Sequence, residues 1–205
     1  VTTTRPQLIQ NATIWTGEPV KKSSAEDEHS GKAYEWINAD VLLDKGLIIA
    51  IAPGIPADSL PANTQIFEAH GRPLTAGIVD MHSHAGLTAV ADLQVEADEM
   101  SADITPFVRS LDGLDILHPE FNWIRSGGVT TSLILPGSSN NIGGEAYVIK
   151  TAIGEKSGRE ELSQKDMLAD PDGTWRYMKM ACGENPKETY GKAGERGPYT
   201  RLGEG

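Results

Sequence analysis

The run Leu74-Thr75-Ala76-Gly77-Ile78-Val79-Asp80-Met81-His82-Ser83-His84-Ala85-Gly86 constrains this chain more than any other stretch. Ile78, Val79 and Met81 make a short apolar strand, entered tightly through Gly77. Residues two apart on a strand point to the same face. His82 and His84 therefore converge at the strand's C-terminal end, where one metal ion could take a nitrogen from each. Imidazole suits zinc, iron and related divalent metals, and a catalytic site keeps one coordination position open for water. Asp80 falls on the same strand face. It either orients one imidazole through its free N–H, or pairs with a lysine, or caps backbone groups.

Around this strand the pattern separates into two parts. Residues 7–16 read as a strand, and Lys21 to Lys32 as a charged, exposed loop without apolar periodicity. Ala33–Leu43 and Gly46–Ala52 read as two strands joined by the turn Asp44-Lys45-Gly46, an apolar hairpin. Gln65–Ala69 is a further short strand before the turn Gly71-Arg72-Pro73. Residues 7–75 are thus expected to form a small all-β unit, whose apolar hairpin needs another sheet to cover it.

Beyond His84 the acidic stretch 91–107 reads as a solvated face or a rim loop, partly helical by propensity. Pro119 to Ser126 predicts a short helix, with Pro119 at the first helical position and Gly127 just past the end. Val129 to Leu135 is β-branched and continuous, as in a buried parallel strand. Pro136 to Gly144, rich in Gly, Ser and Asn, reads as a loop. Ala146–Ala152 is strand-like, Pro171-Asp172-Gly173 is a turn, and Trp175 to Cys182 reads as a strand, with a helix left open.

Composition removes several functional classes. Lys and Arg number 18 against 29 Asp and Glu, a formal net charge of −11. That sign argues against nucleic acid as a partner, because phosphate recognition requires the opposite one. No stretch approaches the ~20 apolar residues that cross a bilayer, so no membrane partner is expected. The single cysteine, Cys182, excludes an intrachain disulfide and a cysteine-rich metal site; its apolar neighbours suggest a buried small residue. Asn11-Ala12-Thr13 is a glycosylation sequon, of consequence only in a secreted protein.

The stretch "LTAGIVDMHSHAG" resembles the first barrel strand of the amidohydrolase superfamily, close to the imidazolonepropionase-like amidohydrolases. Residues 41–54, "VLLDKGLIIAIAPG", are similar to the small β-domain that precedes the barrel in these enzymes. Residues 127–144, "GGVTTSLILPGSSNNIGG", are similar to their second barrel strand and loop, and residues 178–191, "MKMACGENPKETYG", to a segment typical of the subgroup. The resemblance runs roughly from Leu8 to Gly203. It implies an α/β chain: the N-terminal half of a (β/α)₈ TIM-type barrel over residues 76–205, preceded by a small β-sandwich-like domain over 7–75. A whole barrel takes about 250 residues, so Gly77 to Gly205 is expected to supply three or four βα units of a larger protein. With Val1 rather than Met in first place, removal of something in front is expected as well.

The activity implied is metal-dependent hydrolysis of an amide-type C–N bond, with one or two divalent ions, zinc being the expected metal, on His82 and His84. A carboxylate or carboxylated lysine must complete the site. Glu184 is the first choice, because it follows an apolar strand and lies between Gly183 and Asn185, where backbone approaches closely; Lys179, Lys150 and Glu145 are alternatives. The family's remaining histidines and its general acid–base carboxylate come from later strands and are expected outside this chain. His118 is too early for that role and reads as a helix cap or surface residue. His70 and His29 lie outside the constellation. The partners expected are the C-terminal half of the same enzyme, as a second polypeptide, and a small amide-type substrate; a homo-oligomer of the assembled enzyme is compatible with both. Two alternatives stand beside this reading: a deacetylase of N-acetylated sugars from the same superfamily, and a non-catalytic barrel scaffold.

Overall fold

A computed structural model describes residues 5–21, 24–30, 32–88, 97–152 and 163–190. The chain divides into two compact units, Val1–Ala76 and Gly77–Gly205. The two contain separate sheets and share no strand among the described residues.

The first unit is one five-stranded sheet. Strands β1 (Gln7–Pro19), β2 (Tyr34–Asp44) and β3 (Leu47–Ala52) run antiparallel to their neighbours, while β4 (Gln65–Glu68) and β5 (Pro73–Leu74) both pair in parallel with β1. The β2–β3 turn has positive φ at both central residues, 51° at Lys45 and 78° at Gly46. That geometry matches the twist of a two-residue hairpin and favours glycine. A bulge in β1 between Ile9 and Ala12 turns the Asn11 N–H toward Asp40, whose Oδ1 accepts it at 2.8 Å. The other oxygen of the buried Asp40 accepts the Ile55 N–H at 2.9 Å, so the carboxylate is satisfied within the sheet. Ala12, Ile14, Ala39 and Val41 form the buried centre. The segment read as a loop before β2 contains a short helix, α1 (Ala25–His29), in which Asp27 Oδ2 accepts the Ser24 N–H at 3.0 Å, a local cap rather than an apolar anchor.

The second unit is mixed α/β. Its four-stranded sheet runs β6 (Ile78–Ser83), β7 (Val129–Ile134), β8 (Ile142–Lys150), β9 (Tyr177–Met180). Strands β6 and β7 are parallel, joined through α2 (Glu120–Ser126). The next pairings differ from a run of βα units: β8 lies antiparallel to β7, and β9 antiparallel to β8. Length explains the first reversal. A parallel crossover needs a dozen or more residues, and only residues 135–141 separate β7 from β8, which begins inside the stretch read as loop.

Two short helices, α3 (Gln164–Met167) and α4 (Glu184–Tyr190), complete the described elements. Pro119 stands at the N-cap of α2, one residue before its expected place. The described part of the acidic stretch, residues 97–107, contains no α-helix. The core gathers Leu87, Leu111, Leu114, Phe121, Ile134, Ile149 and Met167. Phe121, 1% exposed, is its largest member. Phe121→Ala is expected to cost about 3–5 kcal/mol, read as a lower denaturant midpoint at unchanged slope.

Candidate metal centre

His82 is the next-to-last residue of strand β6 and His84 follows its end directly, and the structure brings their rings together. The centroids are 5.3 Å apart, with planes at 87°. His84 is half-buried, and its Nδ1 stands 2.9 Å from the Leu135 carbonyl oxygen. A carbonyl only accepts, so Nδ1 carries the proton and Nε2 presents a lone pair. Leu135 is held in turn, its N–H donating to the Ser83 carbonyl at 2.9 Å. The pairing of β6 with β7 therefore places the proton of a neutral His84 ring on Nδ1 and leaves Nε2 free as a donor.

His82 is solvent-exposed in this chain. Partial desolvation first, then the fields of Lys179 and His84, lower its pKa, against an opposing pull from Asp80. A neutral imidazole is the form that binds a metal. The hydrogen bond described for Asp80 goes to the backbone: its Oδ1 accepts the N–H of His82 at 3.1 Å. The last of its sequence readings, a cap on backbone groups, is the one the structure displays.

The completing residues fall in different places. Lys179, on β9, is 7% exposed, and burial lowers its pKa while Asp98 opposes the shift. Its charge is felt at His82. Glu184 opens α4, with its side chain 79% exposed and its carboxylate 3.9 Å from Lys187 Nζ. Glu145 accepts a hydrogen bond from Arg176 Nε at 2.6 Å, which holds its carboxyl below the usual glutamate range. Lys150 is exposed at the end of β8. No cluster of three or more His, Cys, Asp or Glu side chains is placed to hold a metal among the described residues. The two imidazoles are the pair the structure brings together, and Lys179 is the buried one among the candidates for completing the site.

His118 and Glu120 form the entry to α2, with Nδ1 3.3 Å from Glu120 Oε2. A cavity of about 400 Å³ lies between that helix and the histidines, lined by His82, His84, Glu120 and Trp123 among others. His70 pairs with Glu68, and His29 ends α1. Cys182 is exposed rather than buried, because it follows the end of β9 instead of lying within the strand. Asp98, from the acidic stretch, reads in the sequence as one of several solvated carboxylates, and the structure seats it against Gly137 with the Ser139 N–H on its Oδ1. Its only sequence signal is the distant loop Gly137-Ser138-Ser139.

No family model matches the chain. It is 55% identical over 202 residues to amidohydrolase tasK of Hapsidospora irregularis, an alignment covering 98% of this chain and 20% of that protein. The chain thus spans about a fifth of the relative's length. Among solved structures, an amidohydrolase from Thermotoga maritima matches with a TM-score of 0.65 and 29% identity, covering 92% of this chain and 42% of the other. The chain is similar to part of each of two proteins named amidohydrolases. The mixed α/β arrangement of the second unit is similar to the amidohydrolase fold over the region compared.

Proposed function

We propose that this chain contributes the first metal-binding strand of a metal-dependent hydrolase that cleaves an amide-type C–N bond. The observation that carries this reading is the pair His82 and His84, adjacent in space, with the His84 tautomer set by the Leu135 carbonyl. The amidohydrolase likenesses support it. The sheet from β6 onward is read as the opening of a TIM-type barrel, with the β8–β9 hairpin as an elaboration on it. The unit before it, a single five-stranded sheet among the described residues where a sandwich has two sheets, is read as one layer of the small β-domain.

The residues present fit a divalent ion, zinc being the expected one. Nε2 of His84 and the neutral ring of His82 supply two nitrogen donors of the kind zinc takes. When bound, such an ion lowers the pKa of a water toward neutrality and polarises a carbonyl. The chain's own residues hold and exclude. Leu135 keeps the proton on His84 Nδ1. Asp80 ties the backbone at His82. Trp123 and Glu120 border the cavity beside the two rings.

For the completing group we favour Lys179 over Glu184. Lys179 is buried and its charge reaches His82, whereas Glu184 faces solvent and pairs along its own helix. A buried lysine amine gives up its proton readily, which is the condition for carboxylation or direct ligation. Elemental analysis of Lys179→Met and Glu184→Gln in the full-length protein decides between them. Metal should be depleted in the lysine variant and retained in the glutamate variant; the reverse result restores Glu184, and full retention in both removes each from the site. A panel of small amides and N-acetylated sugars then distinguishes the amidase from the deacetylase. A metal-free native protein inert toward both corresponds to the scaffold.

A further inference from the structure

A second cavity of the Gly77–Gly205 unit shares none of the residues that line the space beside His82 and His84. Its volume is about 340 Å³. Its basic edge is Arg109 and Arg176, and its walls include Tyr147, Leu168, Trp175 and Tyr177. The pairing of β8 with β9 builds it. The register that joins Ala146 to Tyr177 sets Arg176, one residue before β9, opposite Tyr147. Residues two apart on a strand share a face, so Glu145 lies on the face of Tyr147. Arg109 is brought alongside by an isolated parallel bridge to Glu145, whose N–H donates to the Val108 carbonyl at 2.7 Å.

Each guanidinium is held from behind by a carboxylate. Arg176 Nε donates to Glu145 Oε1 at 2.6 Å, and the side chains are 76% and 11% exposed in that order. The arginine thus reaches out from a nearly buried anchor. Arg109 Nε donates to Asp112 Oδ2 at 2.8 Å, and its Nη2 donates to Oδ1. A guanidinium has more N–H donors than one carboxylate can take, so each keeps donors for a further acceptor. The planar fork of arginine matches a carboxylate in particular. Among the acids that border the cavity, Glu145 is engaged by Arg176, and Asp170 Oδ2 accepts the Trp175 N–H at 2.8 Å. Asp172, exposed on the same turn, would favour a cation instead, and a charge series separates the two. Trp175 is 71% exposed. An aromatic wall beside a few directed polar groups suits a flat apolar body with one charged end.

We infer that this cavity is a binding site for a small organic carboxylate with a flat apolar body. Arg176 and Arg109 take the carboxylate, and Trp175, Tyr147 and Tyr177 pack against the body. The site does not depend on the metal-centre reading.

Phenylacetate, 2-phenylethanol and 2-phenylethylamine carry the same ring and differ in charge. They are titrated calorimetrically into the full-length protein bearing His82→Ala and His84→Ala, which removes a metal as a competing seat for carboxylates. Phenylacetate is expected to bind saturably, and the alcohol and amine about tenfold or more weakly. Arg176→Gln should weaken phenylacetate about 10- to 100-fold, and Trp175→Ala should weaken it while keeping the preference for the anion. Arg176→Gln leaves Glu145 without its cation. Should that variant not fold, Arg176→Lys keeps a cation there but lacks the fork, and is expected to lose affinity likewise. Absence of saturable phenylacetate binding, equal affinity across the series, or preference for the amine would each overturn the inference. So would arginine variants that bind phenylacetate as tightly as their parent.

Discussion

On the proposed reading of this chain as part of a metal-dependent hydrolase, alanine at both His82 and His84 is expected to abolish metal binding and to lower hydrolysis by about a thousandfold or more. The size follows from what is lost. Without the ion, neither the nucleophilic water nor the polarised carbonyl is available, and each 1.36 kcal/mol of transition-state stabilisation is worth a factor of ten. The fold itself should tolerate the change. His82 is exposed and His84 half-buried, and of the interactions described the pair gives up mainly the ring contact and the hydrogen bond to the Leu135 carbonyl. Elemental analysis and circular dichroism on the same preparation separate the two effects. Metal stoichiometry equal to wild type in the double variant would remove these histidines from the site.

The second large effect concerns residues 1–205 expressed by themselves. They are expected to associate, or to require a further polypeptide, rather than to stand as an active monomer. In the second unit β6 is an edge strand, paired on one side with β7. Its residues Ile78, Val79 and Met81 are 52, 60 and 77% exposed. Ile78 and Val79 are consecutive, so apolar side chains stand bare on both faces of that strand. An unpaired edge of this kind invites another strand. On β9 Met178 and Met180 are likewise exposed, as are Leu47, Ile48 and Ile49 on β3 of the first unit. Exposed apolar area of this extent signals a covering partner. The occupant we propose is the C-terminal half of the same enzyme, which would also bring the acid–base carboxylate and the later histidines. Size-exclusion chromatography with mass detection and an amidase assay test it. A stable, monodisperse and active species of 22.0 kDa would refute it.

Local pattern made part of this protein legible. The Lys45-Gly46 turn, the strands around it, helix α2 and the histidine-bearing strand β6 all follow from short-range chemistry. Positive φ at a turn, a proline at a helix entry and a two-residue strand period act over a few positions. What the same pattern could not carry was direction and partnership. Strand β8 was divided between a loop and a strand because glycines, serines and asparagines in its approach resemble loop chemistry. Its antiparallel course depends on pairing with β7 and β9.

The candidate site shows the same division. That His82 and His84 share a neighbourhood is a consequence of their spacing, and the sequence by itself determined it. Which of the candidate completing groups is buried was decided by tertiary structure. Glu184 and Lys179 are five positions apart on adjoining elements, and the sequence places Glu184 first and Lys179 among the alternatives. Burial on β9 separates the lysine from a glutamate exposed on α4. Asp98 is a carboxylate among several in its stretch until Gly137, Ser139 and Asn140, some forty residues away, clamp its segment in place. Spacing along a chain fixes which side chains can share a face, but desolvation and charge act through space, and only the folded pairing of distant segments sets them.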